Sequence, residues 1–446
     1  MLVFALLPEP PQDGLGQRGA GPHPPNSPAP PDERSDGPPT KPTAASAAID
    51  LALKKEAFDV VRQLMADFPD SSDPIGLMGT LHNNYGNTAE AVNWWLKCLE
   101  RNPKRADVYH GLGTVAMRKG EYQKAEEYWR KAQGIDPNLP GVWGRYAEAL
   151  MAMGKLDVAL AALHKEIRIS PRAPANYLLL GKIHLEREEY EEAIAAYTKA
   201  VQSGYRQSSA YYGLATASTR LGRTDQAARY MEQFTKLRVE EDKAVSRRRR
   251  ASGQVLGLAK ILAQTLTDAG RIYLGRRQGS KAEQCWLKAA SLVPGHIGCR
   301  QQLVLLYMNT QREEQAVAVC GQLTRIDPGD PTARVNMGVL LARLERFDAA
   351  EKAVREAIRL APKRPSAYRA LVQVLLLGNR KLPEAQALAR KLVTLSPTAR
   401  DYGLLAEACQ RAGDQAGAVV ARGRAAELAR SATAGQRGYR RPPQRQ

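Results

Sequence analysis

Few side chains in this sequence stand at spacings that do chemistry. Gly14, Gly16 and Gly19, in the stretch GLGQRG, have the G-x-G-x-x-G spacing that brings backbone amides up to a dinucleotide pyrophosphate. That use needs a strand ahead of the glycines and a helix behind them, and these sit in a proline-rich stretch with neither. No Walker-type loop, no H-E-x-x-H and no Cys or His pair at metal-ligand spacing occurs elsewhere. The expectation is no enzyme, no cofactor and no metal site. Cys98, Cys285, Cys299, Cys320 and Cys409 form an odd set without a C-x-x-C pair and fit a reducing, cytoplasmic compartment. The strongest electrostatic feature is the stretch AVSRRRRASGQ, in which Arg247, Arg248, Arg249 and Arg250 stand side by side. Such a run can neutralise phosphates and release their counterions, or it can solvate a joint between two packed blocks.

Charge along the chain is lopsided. Residues 1–241 hold 29 Lys and Arg against 30 Asp and Glu, whereas residues 242–446 hold 36 against 16, so the formal excess of +19 lies in the second part. That excess bears on partners rather than on fold. Apolar residues make up 43% of the chain, enough for a sizeable core. No apolar run approaches the roughly 18 to 20 residues of a spanning helix. The opening MLVFALLPEPP is apolar only from Leu2 to Leu7, with no basic residue ahead of it, and makes a poor secretory signal unless the start codon lies further upstream. Twelve prolines within residues 1–42, and the arginine-rich SATAGQRGYRRPPQRQ at the other end, read as disordered tails.

The elements that could position any of these groups emerge when the sequence is compared with itself. In ADVYHGLGTVAMRKGEYQKAEEYWRKAQGIDP, Ala106 to Pro137, the residues Tyr109, Leu112, Gly113, Gly120, Tyr122, Ala125, Trp129, Ala132 and Pro137 return as similar residues at steps of 34. The slot of Ala125 runs through Ala57, Ala91, Ala159, Ala193 and Ala227, then, after a 21-residue insertion, through Ala282, Ala316, Ala350, Ala385 and Ala418. The slot of Gly113 stays small, from Gly79 through Ala147, Gly181, Ala215, Gly270 and Gly338 to Ala406, with Val304 and Val372 as its largest members. About eleven units fit this register between Pro38 and Ala432. Three- and four-residue steps through Tyr109, Leu112 and Ala116 line one face of a helix, and Tyr122, Ala125, Trp129 and Ala132 line another. Gly120 turns the chain between the two helices, and Pro137 ends the second. Neither helix hides its apolar stripe alone, so the units must stack.

This pattern resembles the tetratricopeptide repeat, over nearly the whole chain outside the first 37 residues, the insertion and the last 14. The resemblance implies an all-α, right-handed superhelical solenoid of helix-turn-helix units whose first helices line a groove. The expected organisation is a Pro-rich tail over 1–37, a first repeat block over 38–241, a basic linker or extended helix over 242–262, a second block over 263–432 and a basic tail over 433–446. Projecting the family's groove onto this sequence places Arg118, Arg220, Arg343 and Arg411 in one slot, shared with Asn309. Neighbouring slots hold Arg145, Lys182, Arg271, Asn336 and Arg369 among Met117, Met151, Met308 and Leu185. Guanidinium forks among adaptable apolar side chains suit an extended peptide or an acidic segment.

Two specialised versions of the family find no support. The Lys/Asn clamp that some members close on a C-terminal carboxylate has no matching set, and the asparagine ladder of the repeat arm of protein O-GlcNAc transferases is represented by Asn336 alone. The function expected is therefore a protein-interaction scaffold whose partner is a protein, acidic in one version. The alternative is nucleic-acid or anionic-surface binding through residues 242–446. Against it, the aromatics of that part are few and several fall in core slots, where no base can stack on them.

Overall fold

The computed structural model describes residues 44–171, 173–203, 208–251 and 254–437. Among them are 21 α-helices and no strand. Helix α1 (Ala44–Asp67) leads, and ten pairs follow. The first pairs are α2 and α3 (Ser72–Asn84, Thr88–Arg101), α4 and α5 (Ala106–Arg118, Tyr122–Ile135), and α6 and α7 (Val142–Ala152, Leu156–Ile169). Then come α8 and α9 (Pro174–Glu186, Tyr190–Gln202), α10 and α11 (Ser208–Arg220, Thr224–Ala251), and α12 and α13 (Gln254–Gly275, Gly279–Leu292). The remainder are α14 and α15 (Ile297–Asn309, Glu313–Ile326), α16 and α17 (Pro331–Arg343, Phe347–Leu360), α18 and α19 (Pro365–Leu377, Leu382–Leu395), and α20 and α21 (Ala399–Arg411, Gln415–Arg437). The chain divides after Ile261, inside α12, into two compact units. Within the first unit α4 touches α6, α6 touches α8 and α8 touches α10, so first helices lie side by side; α16, α18 and α20 do the same in the second.

The repeat register holds in the packing. Every alanine of the Ala125 slot is buried, from Ala57 at 0% exposure to Ala418 at 1%, with Ala227 the least covered at 8%. A Cβ added at Gly113 would lie 2.8 Å from the Trp129 ring, and one at Gly79, Gly181 or Gly270 would collide with Trp95, Tyr197 or Trp286. Small residues on first helices thus make room for large ones on second helices. The buried indoles keep a partner: Trp95 donates to the Gly76 carbonyl at 3.2 Å and Trp286 to the Thr267 carbonyl at 3.0 Å. Trp143, by contrast, is only partly covered.

The turn inside each pair is the same motif throughout. After the first helix one residue adopts a left-handed backbone, and the amide that follows bonds five residues back, as Glu121 N–H does to the Ala116 carbonyl at 2.9 Å. Glycine takes the left-handed position at Gly86, Gly120, Gly154, Gly222 and Gly413, but Glu188, Arg277, Gln311, Glu345 and Asn379 take it elsewhere. The extra residue of the loop LGNRKLPEA appears as a second left-handed residue, Lys381, ahead of α19.

Two stretches differ from the paired helices of the other repeats. The leading unit is a single 24-residue helix rather than a pair, because Ala52 stands at its turn slot, within LALKKEA, and nothing there breaks a helix. Ten pairs plus α1 therefore replace eleven units. The arginine-rich stretch, expected as a basic linker or an extended helix, lies on helical backbone: α11 continues to Ala251 through Arg247, Arg248, Arg249 and Arg250. Glu241 fastens α11 to the start of α10, accepting from the Ser208 amide at 2.9 Å and its hydroxyl at 2.8 Å. The arginines fall in the last turn, where the helix dipole favours cations. The tail expected over 1–37 lies outside the described residues, as does 438–446, whereas 433–437 belong to α21.

Removing the Trp129 side chain should cost about 3 to 5 kcal/mol of unfolding free energy in urea titration; a neutral effect would contradict the Gly113 contact. Gln311→Gly, relieving a left-handed backbone, should gain about 1 kcal/mol in the same assay.

Candidate functional site

The groove candidates picked out in the sequence all stand on first helices, but their surroundings differ. Arg118, Arg220, Asn309, Arg343 and Arg411 are the final residues of α4, α10, α14, α16 and α20, and all are exposed. A helix C-terminus favours cations there. Two of them reach back one repeat: Arg118 donates to the Asn83 side-chain carbonyl at 2.6 Å, and Arg411 to the backbone carbonyl of Leu376. Arg220 and Arg343 have no hydrogen-bond or ion partner among the described residues. Arg145 pairs with Glu148 at 2.8 Å and Arg271 with Asp268 at 2.9 Å, each within its own helix. Exposed Lys182 lies one turn before Glu186, whose carboxyl burial pushes up and Lys182 draws back. Asn336 is half-buried on α16.

Arg369 is different. Its Nε and Nη2 grip the two carboxylate oxygens of Asp401 at 2.7 and 3.0 Å, and Asp401 is fully buried. Ser396 and Thr398 hydroxyls add bonds of 2.9 and 2.7 Å to the same carboxylate. Burial alone would raise the Asp401 pKa, but the guanidinium fork and the hydroxyls outweigh it and hold the carboxyl below its usual range. Arg369 therefore fastens α18 to α20 and is spent on packing, not free for a ligand as its slot suggested.

The structure thus brings Arg118, Arg145, Lys182 and Arg220 onto the first-helix face of the first unit, with Met117, Met151 and Leu185 half-buried among them. On the second unit the same face carries Arg271, Asn309, Asn336, Arg343 and Arg411. Leu377 shares the slot of Arg343 and Arg411 and stands 63% exposed, an apolar residue in a slot where those two carry charge. The four arginines Arg247 to Arg250 have a described backbone but no described side chains.

His110, on α4, is half-buried against Trp129 of α5. Its Nδ1 accepts the Trp129 indole N–H at 3.2 Å, so a neutral ring carries its proton on Nε2. Burial, helped by nearby Arg145, pushes its pKa down to about 4.

A second set of arginines does structural work that the sequence reading passed over. Arg312 forks onto Glu283 with two bonds of 2.7 Å, and Arg346 onto Glu314 at 3.1 and 2.5 Å. Arg223 forks onto Glu191 likewise, and Arg187 and Arg380 each reach Asp157 and Asp348 through a single bond. Each arginine sits in the turn before a second helix, and each acid near the start of the preceding second helix. The signal was present as a basic residue shortly before the alanine slot and an acid beside it. Cys98, Cys299, Cys320 and Cys409 are buried free thiols, and burial raises that of Cys320 to about 12. Among the described residues no cluster could hold a metal ion, and no helix is long and apolar enough to cross a membrane.

Profiles described as tetratricopeptide repeat match residues 106–139, 146–208, 178–238 and 311–375. Among solved structures, MamA is 22% identical, over 37% of this chain and 97% of MamA, with a TM-score of 0.35. A MamA fragment beginning at residue 41 from Desulfovibrio magneticus RS-1 is 20% identical, over 38% of this chain and 97% of its own, with a TM-score of 0.36. Pseudomonas aeruginosa PilF is 20% identical, over 52% of this chain and 96% of its own, with a TM-score of 0.34. A search of curated proteins returns no match.

His110 gives the face a pH signature. The unfolded chain binds this proton near the ordinary 6.5 and the folded chain only near about 4, so the stabilisation is whole above the first value and is lost as pH falls towards the second. Between those limits wild type should lose on the order of 2 kcal/mol more unfolding free energy than His110→Gln. Parallel pH slopes for the two proteins in urea titration would rule this out.

Proposed function

Because the chain is a tetratricopeptide-repeat protein, we propose that it acts as a protein-interaction scaffold, without chemistry of its own, whose first helices hold an extended peptide or acidic segment. The observation that carries this reading is the state of the face. Arg220 and Arg343 point no donor at any described carboxylate, and Leu377 keeps an apolar side chain in water, although the helices beneath them are fixed by repeat packing. Helices already held in place spare the scaffold backbone any ordering cost when an extended segment binds. Guanidiniums recognise carboxylates by paired hydrogen bonds, and Leu377, one repeat after Arg343 on the second unit, offers a contact for an apolar residue.

Nucleic-acid or anionic-surface binding through residues 242–446 draws on that part's positive charge and on Arg247 to Arg250. Tyr273, Trp286, Tyr307 and Tyr368 weigh against it, because they are 6%, 0%, 4% and 2% exposed and offer no ring to a base.

The test uses the full chain. Crosslinking in cell extract followed by mass spectrometry identifies partners of wild type, and Arg220→Ala, Arg343→Ala and Leu377→Asp combined should lower their recovery about tenfold, the equivalent of 1.4 kcal/mol, with the unfolding midpoint kept. Unchanged recovery would sink the first-helix reading. Binding that falls steeply with salt and vanishes on Arg247 to Arg250→Ala would favour the alternative.

A further inference from the structure

The second helices of the first unit carry a row that neither the first-helix face nor the ion-pair ladder uses. Lys97 on α3, Lys131 on α5, Lys165 on α7 and Lys199 on α9 occupy one register slot, each 34 residues after the last, and all are exposed. Each ammonium stands over an aromatic ring, at 4.8 Å from the centroid of Trp94, 5.7 Å from Tyr109, 4.1 Å from Trp143 and 5.9 Å from Tyr177 respectively. Two of the rings are themselves pinned: Trp143 donates its indole N–H to the Pro137 carbonyl and Tyr177 its hydroxyl to the Pro171 carbonyl, both at 2.8 Å. Glu100 and Glu127 lie within a helical turn of Lys97 and Lys131, yet no ion pair closes in this row among the described residues. Beside Lys199, Pro171, Tyr177, Gln202 and Ser203 line an open cavity of about 310 Å3.

We propose that this row is a second binding edge, apart from the first-helix face, which takes an acidic protein segment in extended form with carboxylates meeting successive lysines. A cation resting on a ring is already ordered, so it meets an anion with less loss of side-chain freedom than a free lysine. The occupant follows from what the rings leave open. A nucleic-acid strand gains its affinity from bases stacked on ring faces as well as from phosphates. Here each ring is partly covered and carries a lysine over its face. A carboxylate needs only the outer side of the ammonium, which the solvent now occupies.

The experiment measures fluorescence anisotropy of a fluorescein-labelled peptide of alternating Glu and Gly against the full chain. An oligouridylate of similar length is run in parallel. Lys97, Lys131, Lys165 and Lys199 are changed together to Gln, which keeps part of the stem over each ring. A control removes the same charge from the second unit through Arg277→Gln, Arg325→Gln, Lys352→Gln and Lys363→Gln, at exposed positions outside the register slot of the row. The first set should weaken peptide binding about tenfold or more, the control less than about twofold. Changing the same four lysines to Arg should restore binding, which separates loss of charge from loss of fold. Equal weakening by both Gln sets would mean bulk charge alone and overturn the proposal, as would no weakening by the first. So would an oligouridylate whose binding follows these lysines while that of the peptide does not.

Discussion

Trp129 can lie flat against α4 and donate its indole N–H to His110 because Gly113 leaves no side chain in the way. The same exchange of volume between the two helices of a pair runs along the chain. Gly79 faces Trp95, Gly181 faces Tyr197, Gly270 faces Trp286 and Gly338 faces Val354. Where the first-helix residue grows to Ala147, the second-helix slot holds Leu163. Where it grows to Val304 or Val372, that slot shrinks to Cys320 or Ala389, and all four are buried. Interiors pack near crystal density, so the sum of the two volumes is what selection can hold constant. Met231, in the same slot of α11, is 41% exposed, and there the exchange lapses.

That constraint explains which parts of the fold were legible. A contact repeated at fixed spacing writes itself into the sequence as a period, and the alanine slot placed every second helix because no larger side chain fits where Ala125 sits against its partner helix. Local stretches outside the period were harder. At Ala52 the register demanded a turn while the residues favoured helix, and helix propensity won because no glycine or competing contact opposed it. The arginine-rich insertion has no apolar stripe, which reads as a joint, yet Lys, Arg, Glu and Ala are good helix formers and Glu241 ties the helix to Ser208. The absence of a packed face does not prevent a helix from continuing out of one that is packed.

The candidate site was legible to a lesser degree, for a reason that lies in arginine itself. Its fork binds a carboxylate equally well whether that carboxylate belongs to a ligand or to the next repeat. Slot positions located Arg220, Arg343 and Arg369 alike, but only coordinates separate the first two, turned to solvent, from Arg369, consumed by Asp401. The acid that consumes it lies 32 residues further on, in the following repeat. Pairs spaced by nearly one repeat are invisible to a reading that judges each slot by its own column.

Repeat arrays are stabilised mainly by nearest-neighbour interfaces, so a face not used in stacking is free to vary without unfolding the stack. Here the small-to-large exchange closes each pair, while neighbouring repeats meet where Gly111 and Gly213 pack on Trp95 and Tyr197 of the preceding repeat and through the inter-repeat pairs from Arg187 to Arg380. Exposed pairs of that kind contribute only about 0 to 1 kcal/mol each, so they set register more than they hold the fold. The buried fork of Arg369 on Asp401 is the exception, since neither charge could remain there alone. What remains on the surface is then divided by position within the repeat. Helix-end arginines and Leu377 lie on first helices, and ring-propped lysines lie on second helices. A chain built this way can alter one face while leaving the packing of the other untouched, and that independence is what a scaffold with more than one partner requires.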